Sequence, residues 1–218
     1  MNWSSVSLQI KSTEDLFKRP DIAGPAFGLL KRANAMGLLA KPVESLDLPV
    51  FRRVVESIRR TGIAGEAARE VLILTDVKMG TDVDADELRP RIEVLVQGLE
   101  ESPVPPSEWR RLTALFRHER EELAELLDLS LSSLRRYSAG ERETPDAVAG
   151  RLHFLALLVG DLAGAYNDTG VRAWFRRKRA LLDGKAPGDL LHGNWQPGDP
   201  DPERVRALGR SLAAGSAT

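Results

Sequence analysis

The sequence predicts an all-α protein built as an N-terminal helical domain, a helix-turn-helix and a small C-terminal helical domain, and three observations predict it. Apolar residues recur three and four apart in almost every segment between Gly and Pro breakers. Asp, Ser or Thr stands beside Pro, or just ahead of the apolar stripe, where most of these segments begin, which is the chemistry of a helix start. The one continuous apolar run with strand character, VLILTDV, has no second run nearby to pair with, so Glu66 to Val77 is read as helix.

Composition bounds the function. The 218 residues, 42% hydrophobic and 29% charged, are enough for two small domains with real cores. A net charge of −1 offers no global attraction to nucleic acid or to an anionic membrane, so a DNA contact must come from a local patch or an assembly. There is no Cys, and His118, His153 and His192 lie far apart, so no disulfide, metal or cofactor is expected. No signal peptide or membrane-spanning run is legible, and a cytoplasmic protein without membrane contact is expected. No nucleophile–base pairing, Gly-rich phosphate loop or paired carboxylates stand out, which argues against an enzyme.

Residues 1–101 read as the N-terminal domain. Met1 to Gly24 is expected to be a loose arm, with Pro20 and Pro25 bracketing a turn. Ala26 to Leu39 follows as a helix with Phe27, Leu30, Ala33 and Leu38 inward. Asp47 and Pro49 start the next, burying Val50, Val54, Val55 and Ile58 and turning Arg52, Arg53, Arg59 and Arg60 outward. Those arginines lack interleaved aromatic residues and read as a solvated face rather than a nucleic-acid patch. Asp84 caps a helix with Leu88, Ile92, Leu95, Val96 and Leu99 as its stripe. SPVPP, residues 102–106, reads as the linker that ends the domain.

Residues 107–143 carry the most informative stretch. Ser107 is expected to cap a supporting helix with Trp109, Leu112, Leu115 and Phe116 apolar. From Arg120 the pattern is that of a helix-turn-helix. Leu123, Ala124 and Leu127 stripe the first helix, and Asp128 takes the left-handed turn position that Gly usually fills. Leu129 plugs the turn, Ser130 caps the second helix, Leu134 and Tyr137 face inward, and Gly140 ends it. The outer face, Ser132, Ser133, Arg135 and Arg136 with Ser130 at its head, is a candidate DNA-reading surface for the major groove. Between Ser107 and Arg151 there are eight Lys/Arg against nine Asp/Glu, so a single copy is expected to hold phosphates weakly.

Residues 144–218 begin with Thr144-Pro145, read as cap and first-turn proline of a long helix that is apolar nearly all round. Such a helix must be covered on more than one face, by its own domain or by a second subunit, and a homodimer or higher assembly is expected. His153 on this helix reads as a hydrogen-bonded core residue. From Gly170, Trp174, Phe175, Leu181 and Leu182 give one helix an apolar face. Arg172, Arg176, Arg177, Lys178 and Arg179 make its other side basic, and Gly184 closes it. A last helix carries Val205, Leu208 and Leu212.

The spacing of Leu123, Ala124, Leu127, Leu129, Leu134 and Tyr137 resembles the Xre/Cro type of helix-turn-helix. With the long apolar helix, the run AWF, then LDGKAPGDLL and the terminal helix, the chain from about Ser107 onward resembles the MbcA/ParS/Xre antitoxin family. Phe175 and Lys178 depart from the pattern, which usually has Leu and Pro there. The resemblance implies an antitoxin that covers the active site of a RES-like toxin, one that consumes NAD or transfers ADP-ribose, and that represses its own operon by binding operator DNA. It implies toxin contacts by Arg172, Trp174, Arg176, Arg177, Lys185, Asp189 and Trp195; Trp and Arg are also the types enriched at interface hot spots. A stand-alone transcription regulator with an N-terminal sensor domain is the alternative. Nothing in the resemblance accounts for residues 1–101.

Overall fold

A computed structural model describes residues 8–39, 43–76, 83–163 and 165–215, and these fall into two compact units divided between Ser102 and Pro103. Both units are mainly helical.

The first unit opens on a short parallel pair of strands, β1 (Leu8–Thr13) and β2 (Val43–Leu46), with Ser12 opposite Ser45 and Thr13 opposite Leu46. This departs from the loose arm expected over residues 1–24, of which 1–7 lie outside the described residues. Between the strands run a 3₁₀ turn (Asp15–Lys18) and α1 (Pro20–Ala35), the helical crossover that parallel pairing requires. Helix α1 starts six residues earlier than expected, because Pro20 occupies the first helical position, where a missing amide costs nothing. Its buried stripe is Ile22, Ala26, Leu29, Leu30 and Ala33, and Phe27, expected inside, is 41% exposed.

Helix α2 (Leu48–Arg59) is capped as read: Asp47 Oδ1 accepts from the Val50 amide at 2.8 Å. It buries Phe51 together with Val50, Val54, Val55 and Ile58. Helix α3 (Gly65–Leu74) covers the ambiguous apolar run, which is helical as expected up to Leu74; residues 77–82 lie outside the described residues. Helix α4 (Ala85–Glu101) is capped by Asp84, which accepts from the Asp86 and Glu87 amides, and it lies along α1 and α3.

In the second unit α5 (Pro105–Leu115) begins inside the segment read as linker, with Pro105 and Pro106 in its first turn. Ser107 is therefore not the cap; it sits in that turn and its hydroxyl donates to the Val104 carbonyl at 3.1 Å. Helices α6 (Arg120–Leu126) and α7 (Leu131–Ser138) follow, then α8 (Asp146–Leu162), which starts one residue later than the Thr144-Pro145 cap predicts. Thr144 is instead an acceptor for the Trp109 indole N–H at 3.0 Å. Helices α9 (Asp168–Arg176), α10 (Pro187–Leu190) and α11 (Pro200–Gly215) complete the unit.

Every residue of α8 from Arg151 to Leu162 is buried, and the cover comes from the same chain, with α5 and α11 packed along it. The apolar circumference that suggested a homodimer is thus satisfied within the unit. Gly209 lets α11 approach: a Cβ there would stand 2.5 Å from Leu158 Cδ1. Two buried polar residues of α8 are partnered within the unit. His153 Nδ1 lies 2.7 Å from Glu108 Oε1, the hydrogen-bonded core histidine expected, and Arg151 donates to Asn194 Oδ1 and the Trp195 carbonyl.

Candidate functional site

Helices α6 and α7 are joined by a turn whose geometry follows from two residues. Asp128 adopts φ 54°, and the chain closes behind α6 with Asp128 N–H donating to the Glu125 carbonyl and Leu129 N–H to the Ala124 carbonyl. Ser130 Oγ then accepts from the Ser133 amide at 3.1 Å and caps α7. Leu129 and Leu134, at the positions of a hydrophobic staple, pack into one core with Leu123, Ala124, Leu127 and Tyr137. Gly140, φ 71°, ends α7 in the same double-bonded cap.

This fixes the outer face of α7. Ser132, Arg135 and Arg136 are exposed, and among the described residues neither arginine forms an ion pair. Two of the predicted reading residues have other work. Ser130 donates to Ser133 Oγ at 3.0 Å as well as accepting from its amide, so both hydroxyls are engaged at the cap. The open set is therefore Ser132, Arg135 and Arg136, joined by Leu131, which is 41% exposed at the start of the helix and escaped the sequence reading.

The basic segment divides differently from expectation. Helix α9 stops at Arg176 because the positions one turn beyond Trp174 and Phe175 are Arg177, Lys178 and Arg179; continuing the helix would turn cations into the core. The chain runs extended to a 3₁₀ turn at Ala180–Leu182. There Asp183 and Gly184 are both left-handed, and the loop is closed by Arg179 N–H to the Lys185 carbonyl and Gly184 N–H to the Arg179 carbonyl. Leu182 is buried, while Leu181, expected inside, is 74% exposed.

Of the residues predicted to meet a toxin, Trp174 and Trp195 are core residues, 1% and 5% exposed. The Trp195 indole N–H donates to the Leu126 carbonyl at 3.0 Å and its ring meets Phe154 edge-on; Arg179 stacks on Trp174 at 5.6 Å. Neither tryptophan offers its ring to the surface of this unit. Arg172 reaches back to the Leu115 carbonyl at 3.0 Å and to Glu119, and Arg176 pairs with Glu119 at 3.1 Å and Glu122 at 3.6 Å, so both clamp α9 against α5 and α6. Asp189 is exposed, but its carboxylate caps the Ala186 amide at 2.9 Å. Arg177, Lys178 and Lys185 remain open to solvent.

The clamp has an electrostatic consequence. Burial, reinforced by the hydrogen bond to Glu119, pushes Glu122 up to about 7 in spite of Arg176. Glu119 moves the other way: its own desolvation is outweighed by the Glu122 hydrogen bond and by Arg176 and Arg172. As pH rises, Glu119 therefore gives up its proton before Glu122 does.

Of the α2 arginines Arg53, Arg59 and Arg60 are exposed, and only Arg52 is partly buried. Arg52 donates to the Leu72 carbonyl at 2.6 Å and to Thr75, and Arg59 pairs with Glu56 through two hydrogen bonds, with Arg60 adding a third. These contacts draw Glu56 down to about 2. Among the described residues no group of three His, Asp or Glu side chains could hold a metal ion, and no helix is long and apolar enough to cross a membrane. Comparison with protein-family models, with curated proteins and with solved structures finds no match to this chain.

Proposed function

We propose that the chain is the antitoxin of a type II toxin-antitoxin system: it binds and silences a RES-like toxin that consumes NAD or transfers ADP-ribose, and it represses its own operon through α6 and α7. The observation that carries this reading is that the exposed face of α7 and the cationic loop at Arg177–Lys185 grow from one core. Leu134 and Tyr137 share it with Trp174, Phe175, Leu182 and Trp195. A partner seated on the loop is then held in fixed relation to DNA on α7, as a protein that both neutralises and represses requires. The identity of the partner comes from the resemblance over Ala173–Leu191.

The buried tryptophans move the proposed toxin contact outward, to Arg177, Lys178, Lys185 and the leucine among them, Leu181. Removing residues 170–218 is no clean test, since it takes Trp174, Phe175, Leu191, Trp195 and Val205 out of the core. Charge reversal is better. Co-expressed with the product of the adjacent gene, the full chain is expected to co-purify with it and to protect the host cell. The pair Arg177→Glu and Lys185→Glu is expected to lose both properties while its melting temperature stays unchanged; full protection by the double variant refutes the assignment of the loop.

A second reading, a regulator that acts without a protein partner, draws on the open Ser132, Arg135 and Arg136. It predicts tight operator binding by the purified chain alone, abolished in Arg135→Ala/Arg136→Ala, and no partner on co-purification.

A further inference from the structure

Leu131 is the first residue of α7 and 41% exposed. The fold makes little use of it. The cap is made by Ser130 and Ser133, and α7 is anchored by Leu134 and Tyr137, buried to 1% and 8% exposure. A large apolar side chain is held in solvent at the end of the helix that a groove-reading motif presents to base edges.

Its neighbours define what it could touch. Arg135 lies four residues on, hence on the same side of the helix and about 6 Å along the axis. That is roughly two base steps at 3.4 Å each. Ser132 and Arg136 fill the rest of the exposed face. In the major groove an arginine finds a bidentate partner in guanine O6 and N7, and the one apolar group on any base edge there is the C5 methyl of thymine. A leucine flanked by a serine and arginines suits that edge better than a protein surface, because the surrounding side chains are donors without apolar company.

We propose that Leu131 reads the methyl group of a thymine in the operator, about two base steps from a guanine taken by Arg135. The proposal rests on the DNA-binding half of the function proposed above.

The test uses the full chain and the DNA directly upstream of its own gene. After footprinting, each thymine of the protected site is replaced singly by deoxyuridine, which removes the methyl and leaves every hydrogen-bonding group. One position per bound copy is expected to weaken binding by roughly three- to tenfold, the worth of one buried methyl-sized contact. In Leu131→Ala that position is expected to become indifferent to the replacement, whereas Arg135→Ala weakens binding but keeps the sensitivity. A footprint in which no replacement matters, or a methyl effect that persists in Leu131→Ala, overturns the thymine contact alone. No preference for the upstream DNA overturns the DNA-binding reading and the thymine contact with it.

Discussion

Asp128 shows how one side chain sets the helix-turn-helix. Its φ of 54° is a conformation that costs most L-residues on the order of 1 kcal/mol, and Asp and Asn tolerate it best after Gly. Its carboxylate also stands 3.9 Å from the buried Arg151 guanidinium. Asp128→Ala is expected to cost about 1–2 kcal/mol, with Asp128→Asn costing less, as read by urea denaturation. The turn and its cap were legible because each depends on one residue type at one position. That Ser133 is also spent at the cap was not, since a hydroxyl spent on a cap and one free for a base look alike in sequence. Glu122 was illegible for another reason: its environment is made by Glu119 and by Arg176 from a distant helix. Held near 7 in the fold against an ordinary 4.5, Glu122 makes the folded chain bind more protons than the unfolded one between those values. Stability is therefore expected to fall as pH rises from 4.5 through 7. Glu122→Gln is expected to flatten that fall, with its largest gain in melting temperature above pH 7 and little at pH 4.5.

At the scale of elements, starts were easier to read than ends and partners. Asp47 and Asp84 cap α2 and α4 as read. Thr144 and Ser107 fit the same pattern and yet serve as a side-chain acceptor and a first-turn residue, because Pro145 and Pro105 shifted the true boundaries. Helix α9 ends without Gly or Pro, stopped by three successive cations where its apolar stripe would continue. Leu181 was misplaced for that reason, since the stripe was extrapolated past the break. The strand pair over Leu8–Thr13 and Val43–Leu46 is too short to carry a periodic signal. Helix α8 was correctly read as apolar all round, but which surface covers it depends on α11, distant in sequence, and on Gly209. A side chain at Gly209 must displace Leu158, so Gly209→Val is expected to destabilise the second unit by about 1–3 kcal/mol, seen as a lower urea midpoint.

At the scale of the whole molecule, the division between Ser102 and Pro103 separates two sets of contacts, each with its own buried core. The fragment 103–218 is expected to unfold cooperatively on its own, with near-ultraviolet dichroism from Trp109, Trp174 and Trp195 intact before the transition; a broad, non-cooperative melt contradicts an independent core. The proposed function asks this unit to do two things at once. It presents Ser132, Arg135 and Arg136 on one helix, and Arg177, Lys178, Leu181 and Lys185 on one loop. The sequence displayed the first set clearly, because helical period and capping residues define a face. Of the second it displayed Arg177, Lys178 and Lys185 but turned Leu181 inward, and it set beside them Trp174 and Trp195, which look like interface anchors in a list of residue types and fill the core.

The most direct measurement is NAD loss catalysed by the purified product of the adjacent gene, followed as full-length chain is added. The antitoxin account predicts that NAD loss falls to background once the chain reaches a fixed stoichiometric ratio, and that Arg177→Glu/Lys185→Glu leaves it running. An adjacent gene product that consumes NAD at the same rate with the chain in excess contradicts the account.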